Sequence, residues 1–212
     1  MPRSTLRRTA CAGALCLTAS SLAAPAAARA SALDVHHKKL NSKVGHRLSV
    51  TGHLFGLPAG TPAPTARLQV RRRGHWATLD RDRLSGSGRF VLRRRVRAVQ
   101  SGRARLRLSS GQTRRLGRVN VYRYAVASWY GPGLYGNALG CGGRLYPGKL
   151  GVANKSLPCG AKLTLRHGRH SVRVRVIDRG PYVAGREFDL TAATAQRLGF
   201  SGHGPVQVST GG

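Results

Sequence analysis

The sequence predicts an all-β protein of two parts, a β-sandwich followed by a small closed barrel with one short helix. The first observation is a series of short runs within residues 33–123 in which apolar and polar residues alternate, separated by turns rich in glycine, proline and serine. The second is a change of composition near Tyr124, after which residues 124–212 are richer in glycine and hold every chemical motif. The third is a single helical pattern near the end of the chain.

Residues 1–30 have the pattern of a signal peptide. Arg3, Arg7 and Arg8 precede an apolar run rich in alanine, and Ala28-Arg29-Ala30 fits a cleavage site. A membrane-spanning helix is the alternative, but the apolar run is short and Pro25 interrupts it. We therefore expect a secreted protein of the cell wall or extracellular space, with no transmembrane segment.

The net charge of +31 indicates a preference for polyanions. Residues 33–123 hold 22 basic and 3 acidic residues, so most of the charge lies in the first part. Outside a cell such partners are wall polymers and anionic lipids, and we expect no specific nucleic acid. An alternative source of the charge is compositional bias, because arginine greatly outnumbers lysine while alanine and glycine abound.

Residues 33–123 are expected to form a basic, immunoglobulin-like (Ig-like) β-sandwich. Alternation along the runs places one set of side chains inward and the intervening arginines towards water. This part would bind wall polymer through its basic face or act as a spacer. The residues predicted to face inward are Leu48, Val50, Leu68, Val70, Ala104, Leu106 and Leu108.

Residues 124–212 are expected to fold as the barrel. Strands are predicted at the start of residues 127–137, at the end of 151–165, at the start of 171–182 and in 205–209. A helix is predicted between a Thr191 N-cap and Gly199 in the left-handed conformation. Cys141 and Cys159 would be the only cysteines left after export, so we predict a disulfide between them, with a reactive thiol or metal ligand as the alternative.

Asp178 is unusual because it ends a run in which valines alternate with arginines. Val172, Val174 and Val176 share one face of that strand, and Asp178 has the same parity. A carboxyl group among apolar residues would have a raised pKa, which suits a general acid. The structural alternative is that Asp178 pairs with Arg179 or accepts backbone N–H bonds in the following turn.

The motifs W-Y-G, L-P-C-G, D-R-G-P-Y and F-D-L-T, in that order, resemble those of the RlpA-like double-psi β-barrel family. The resemblance covers nearly all of residues 126–209 and implies a six-stranded barrel. It also implies action on peptidoglycan glycan strands, either as a lytic transglycosylase or as an expansin-like protein that binds wall polysaccharide without cleaving it. A secreted interaction or inhibitor module is a third possibility.

The resemblance implies that Asp178 is the catalytic acid and base, and that Asp189 is a second catalytic carboxylate. Asp189 would otherwise serve only the positive end of the helix. No cofactor is expected, and the spacing of His167, His170 and His203 predicts no metal site. We expect a monomer. The candidate substrate-binding residues are Trp129, Tyr130, Tyr135, Asn154, Lys155, Arg179 and Tyr182.

Two positions depart from the family pattern. Asn154 stands where the enzymes usually have a histidine, and Gly143 where they often have a glutamate. Asn154 can orient a hydroxyl group but cannot titrate. These departures favour the non-lytic alternative, while one acid/base group would still suffice for the lytic reaction.

Overall fold

The computed structural model describes residues 31–58 and 60–211, so the predicted signal peptide lies outside the described residues. Within these residues the chain forms thirteen strands and one short helix. The strands are β1 Ala32–Lys39, β2 Asn41–Lys43, β3 Arg47–Phe55, β4 Thr65–Arg72, β5 His75–Arg83, β6 Arg89–Arg95, β7 Gln100–Leu108, β8 Thr113–Tyr130, β9 Val152–Ala153, β10 Lys162–His167, β11 His170–Asp178, β12 Phe188–Thr191 and β13 Gly204–Thr210; the helix is α1 Ala192–Leu198.

The first part of the chain forms two layers over one hydrophobic core. One layer is the sheet β1-β3-β6, and the other is the run β5-β4-β7-β8 of a larger sheet. All seven side chains predicted to face inward are buried, because alternation along each strand places them between the layers. The all-β prediction is therefore confirmed, while the likeness to an immunoglobulin domain stays a prediction.

The second part closes into a barrel of six strands. The strand order β12-β9-β11-β10-β13-β8 is completed by pairing of β12 with β8. The pairs β12–β8 and β11–β9 are parallel, and the others are antiparallel. A second hydrophobic core fills the barrel, with Phe188, Leu190 and Leu198 among its fully buried members. The predicted barrel with one helix is confirmed.

Strand β8 connects the two parts without a break. Its first half pairs with β7 and β2, and its second half pairs with β13 and β12. The change of composition near Tyr124 therefore falls inside a strand of 18 residues, and residues 31–212 form one compact unit. The division into domains at 123/124 stays a prediction, although the two hydrophobic cores lie on either side of it.

The helix has the predicted ends. The Thr191 side chain accepts a hydrogen bond from the backbone N–H of Thr194, and Gly199 has φ 60°. Because a side chain at positive φ is strained, glycine is the favoured residue there. No helix within residues 31–58 and 60–211 is long and apolar enough to cross a membrane.

Candidate active site

The two predicted catalytic carboxylates lie on one face of the barrel wall. Strand β9 lies between β11 and β12, and its Ala153 is in register with both Asp178 and Asp189. Residues in register on neighbouring strands project to the same face. Since neighbouring strands are about 4.8 Å apart, the two Cα atoms are roughly 10 Å apart, with Ala153 between them.

A β-bulge decides which face Asp178 occupies. Val176 lies opposite Val152 and Asp178 lies opposite Ala153, so Ile177 is an extra residue without a partner of its own. An extra residue reverses the alternation that follows it. Parity predicts that Asp178 shares the core face of Val176. The bulge instead places Asp178 on the opposite face of the strand. There it is half-buried beneath the loop that joins β8 to β9.

One oxygen of Asp178 is held by the backbone. Oδ1 accepts hydrogen bonds from the N–H groups of Gly140, at 2.7 Å, and Arg179, at 2.8 Å. No hydrogen bond to Oδ2 occurs in the described part of the chain. The first oxygen thus fixes the carboxylate against the loop through backbone N–H bonds, as the structural alternative predicted, and the second accepts no hydrogen bond in normal geometry from any described residue.

Asp189 is held by a side-chain network. Its Oδ1 accepts a hydrogen bond from the hydroxyl of Ser128, its neighbour on β8. The guanidinium of Arg186 donates to the same Ser128 hydroxyl at 3.2 Å. This network fixes the orientation of the Asp189 carboxylate and places a cation near it.

Tyr130 brings a neutral hydroxyl group to the two carboxylates. It shares the face of β8 that carries Ser128, because the two residues have the same parity. Burial, followed by the negative charge of Asp178, its closeness as a hydrogen-bond acceptor and the negative charge of Asp189, raises the pKa of Tyr130 above its ordinary value. The hydroxyl is buried and, within the described residues, has no partner in normal hydrogen-bond geometry. It therefore remains protonated, with a proton available for donation near Asp178.

Asn154 is committed to the backbone. Its side chain is buried, with 4% of the residue exposed, and its amide oxygen accepts from the N–H groups of Ser156 and Leu157. Its amide nitrogen donates to the carbonyl of Glu187 at 3.0 Å. The structure thus places Asn154 among the groups that hold the loop after β9, and not on an open surface that would contact substrate.

Arg179 is likewise occupied by the loop. Its guanidinium donates to the carbonyls of Asn154, at 2.9 Å, and Leu157, at 2.7 Å, and to Cys159 Sγ at 2.8 Å. These hydrogen bonds occupy N–H groups of the guanidinium that would otherwise bind a substrate anion. Direct substrate binding by Arg179 therefore has little support from the geometry.

The predicted disulfide is present and lies next to the site. Cys141 and Cys159 are bonded, with their Cα atoms 5.5 Å apart. Cys141 follows Gly140, and its own N–H donates to the carbonyl of Ile177 at 3.2 Å. The bridge thus joins the loop that contacts Asp178 to the loop held by Arg179.

The predicted aromatic residues do not form one row. Trp129 and Tyr135, about 40% and 39% exposed, line a pocket of about 390 Å³ beside α1. Trp129 projects to the face of β8 opposite Tyr130, and so away from the carboxylates. Tyr182 is 80% exposed four residues after Asp178, and the ammonium group of Lys155 lies 5.9 Å from its ring centre. Of the open aromatic rings, Tyr182 is thus the candidate for sugar binding near Asp178.

Three contributors to the site were not predicted from the sequence. They are the backbone N–H of Gly140, the hydroxyl of Ser128 and the guanidinium of Arg186. Gly140 also lies where an added Cβ would come within 2.9 Å of the Arg179 side chain. No local pattern marks these residues, because strand pairing and loop closure bring them to the carboxylates.

Comparison with known proteins identifies the barrel. Residues 124–210 match the double-psi β-barrel family model described as lytic transglycolase. Residues 124–210 belong to the RlpA-like double-psi β-barrel family. The match lies over the same strands that close the ring and carry Asp178 and Asp189.

Similar proteins are found in several bacteria. A probable endolytic peptidoglycan transglycosylase RlpA of Synechocystis is 42% identical over 87 residues, which cover 40% of this chain and 27% of that protein. The corresponding protein of Aquifex aeolicus is 40% identical over 40% of this chain and 38% of its own length. The endolytic peptidoglycan transglycosylase RlpA of Campylobacter jejuni is 38% identical over 39% and 32%, respectively. The chain thus spans well under half the length of these relatives.

Among solved structures, the apo-expansin of Clavibacter michiganensis aligns with a TM-score of 0.35 and 24% identity. The alignment covers 42% of this chain and 50% of the expansin.

The backbone of the RlpA-like barrel makes an acidic side chain costly at position 143. Gly142 and Gly143 have φ values of 93° and 78°, and the chain reverses there between Leu139 and Arg144. Residues with a side chain are strained at such φ values by about 1–2 kcal/mol. The loop above Asp178 is therefore built around glycine at the position where the family often has glutamate.

Proposed function

We propose that this protein is exported and acts on peptidoglycan glycan strands as an RlpA-like lytic transglycosylase, with Asp178 as the acid and base. The observation that carries the proposal is the Asp178 carboxylate, which two backbone N–H groups fix through Oδ1 while Oδ2 accepts no hydrogen bond in normal geometry from the residues that the structure describes. Membership of the barrel in a family described as lytic transglycolase supports the reaction type. The disulfide supports export, because such bonds persist mainly in oxidising compartments.

The reaction needs one group that both gives and takes a proton. Protonated Oδ2 of Asp178 donates its proton to the glycosidic oxygen as the bond from that oxygen to the anomeric carbon breaks. The C6 hydroxyl oxygen of the same sugar then bonds to the anomeric carbon and returns its proton to Oδ2. The products are a shortened strand with a 1,6-anhydro end and a strand with a free hydroxyl group. No water is consumed, and Asp178 ends as it began.

The neighbouring groups have distinct roles in this proposal. Asp189 adds a negative charge that stabilises positive charge on the sugar ring, and the Ser128 hydroxyl keeps its carboxylate in place. Tyr130 donates its hydroxyl proton towards Asp178, which steadies the carboxylate after its proton has left. Tyr182 and Lys155 offer an open surface for an adjacent sugar and its anionic substituents.

A second function is favoured by a specific observation. Asn154 occupies the position of the family histidine, and the hydrogen bonds of its side chain all go to backbone groups. A site without that titrating group would bind glycan strands in the manner of an expansin and leave them uncut. Turnover therefore distinguishes the two functions.

The experiment is digestion of purified sacculi with the mature protein, followed by mass spectrometry of the soluble products. Lytic activity releases fragments with 1,6-anhydro ends, and Asp178→Asn lowers that release at least about 100-fold, as expected for loss of an acid/base group. Asparagine retains an oxygen that can accept both N–H bonds, so the barrel should keep its melting temperature.

Asp34→Asn is the matched control, because it removes the same charge from an exposed position in β1. Equal activity of Asp178→Asn and Asp34→Asn would refute the assigned role of Asp178. Binding to sacculi without any anhydro ends, from the wild-type protein, would establish the expansin-like function instead.

A further inference from the structure

A continuous row of cations crosses from the sandwich to the barrel. A pocket of about 360 Å³ has six lining residues, five of them basic: Arg71, Arg103 and Arg118 from the sandwich, and Lys162 and Arg173 from the barrel. A neighbouring pocket of about 600 Å³ shares Arg71 and Arg103, and another of about 600 Å³ shares Lys162 and Arg173. We call the six residues Arg71, Arg103, Arg118, Lys162, Arg173 and Arg175 the cationic track.

The charges of the cationic track are not neutralised by acids. The chain has six acidic residues, and none of them lines these three pockets. Among the described residues the ion pairs are His36–Asp34 and Arg123–Glu187, both outside the track. The hydrogen bonds made by the track go to neutral acceptors, such as the Gly74 carbonyl for Arg71 and the Ser101 hydroxyl for Arg118.

Two arginines of the cationic track repel each other within the sheet. Arg103 on β7 lies directly opposite Arg118 on β8, and like charges in that position destabilise a sheet. Burial lowers the pKa of Arg118, and the charges of Arg173 and Arg103 lower it further. Arginine nevertheless stays charged in proteins. A bound anion would relieve the repulsion and would offset the cost of the partial desolvation by pairing with these charges.

The length and the lining of the track select among anions. A small anion would need only the middle pocket, whereas the three adjoining pockets suit a chain with repeated charges. Arg173 and Arg175 project from the same face of β11, roughly 7 Å apart. Guanidinium groups match phosphate oxygens through paired hydrogen bonds.

The same lining disfavours nucleic acid. No aromatic residue lines the middle pocket, and the ring of Trp76 in the neighbouring pocket is covered by the Arg105 guanidinium at 4.0 Å. The third pocket has one open ring, Tyr146, and the Lys149 ammonium group lies 5.1 Å from its centre. Single-stranded nucleic acids are held largely by stacking of bases on open aromatic rings. The three pockets thus offer many charges for a polymer backbone but a single open ring, at one end, on which a base could stack.

We propose that the cationic track binds a linear phosphodiester polymer without bases, of the poly(glycerol phosphate) type. Strand β11 carries Arg173 and Arg175 and ends at Asp178, so a polymer on the track lies along the strand that leads to the candidate active site. The track would thereby hold the barrel at an anionic wall surface. This proposal does not require catalysis by Asp178.

The test uses the mature protein and synthetic poly(glycerol phosphate), with affinity measured by calorimetry between 50 and 400 mM NaCl, roughly the range over which phosphate contacts are screened. The triple variant Arg103→Gln, Arg118→Gln, Arg173→Gln removes three charges of the track. We expect at least a tenfold loss of affinity at low salt, and a salt slope reduced by up to about three.

The matched control is Arg81→Gln, Arg83→Gln, Arg89→Gln, which removes the same charge from exposed positions outside the three pockets. We expect the affinity of this control for poly(glycerol phosphate) to fall less than about twofold. An equal loss of affinity in both triple variants would overturn the proposal, because it would show that only net charge matters. If the triple variant unfolds, the single variant Arg173→Glu takes its place, because Arg173 is exposed. This variant should also bind poly(glycerol phosphate) more weakly than the wild type.

Two further probes can overturn the assignment of the ligand. Tighter binding of a single-stranded oligonucleotide than of poly(glycerol phosphate) would assign the track to nucleic acid. Equal binding of inorganic phosphate would reduce it to a pocket for small anions. We expect the triple variant to release anhydro ends from isolated glycan strands at the wild-type rate. That result would show that the track binds its polymer independently of the reaction at Asp178.

Discussion

Removal of the disulfide should both destabilise the protein and loosen the site. The bridge joins Cys141 and Cys159, which are 18 residues apart. In the chain-entropy treatment, closing a loop of this length in the unfolded chain stabilises the folded state by about 3 kcal/mol at 25 °C. The double variant Cys141→Ser, Cys159→Ser should therefore lose about this much free energy of unfolding.

The measurement is urea unfolding followed by tryptophan fluorescence in a Trp76→Phe background, so that the signal comes from Trp129 in the barrel. The control is the parent protein in reducing agent, which should match the serine variant, while the serine variant itself should not respond to reductant. A loss below about 1 kcal/mol would show that strand pairing alone holds these loops.

The same variant tests the connection to the site. Gly140 donates its N–H to Asp178 and is bonded in sequence to Cys141, so a freed Cys141 should let that N–H move away. We expect slower release of anhydro ends by the serine variant under conditions in which it remains folded. An unchanged rate in the fully folded variant would refute the idea that the bridge positions Gly140.

Two other predictions concern single residues. Because the folded-state pKa of Tyr130 is raised, its contribution to stability is fully present below the ordinary tyrosine pKa, about 10, and is lost as pH rises above it. Between about pH 9 and 11, the free energy of unfolding in urea should therefore fall less for Tyr130→Phe than for the wild type. An identical fall in both proteins would contradict the raised pKa of Tyr130. Gly199→Ala should lower the free energy of unfolding by about 1 kcal/mol, since φ at that position is 60°, and calorimetric melting that shows no loss would contradict it.

Some of the site follows from local patterns. The caps at Thr191 and Gly199 could be predicted, because capping depends on a few consecutive residues. The pairing of Cys141 with Cys159 followed from counting cysteines in an exported chain. The order of four motifs pointed to the family and to Asp178 and Asp189.

Other parts of the site could not be predicted in this way. Parity placed Asp178 among the valines, and the bulge at Ile177 moves it to the other face, because register depends on a partner strand that is distant in sequence. Asn154 and Arg179 resembled substrate-binding residues by type, yet the loops that surround them use their hydrogen-bonding groups. Trp129 and Tyr130 are adjacent in sequence and project to opposite sides of β8.

The sequence by itself determined the all-β class, the inward face of most strands, the ends of the helix and the family of the barrel. Each of these depends on alternation, on capping or on motifs within a few consecutive residues. Only the tertiary structure decided that β8 runs through both parts, that the carboxylates of Asp178 and Asp189 lie on either side of Ala153, and that cations from both parts adjoin. These features arise from pairing between distant segments, whose register and closure no local pattern encodes.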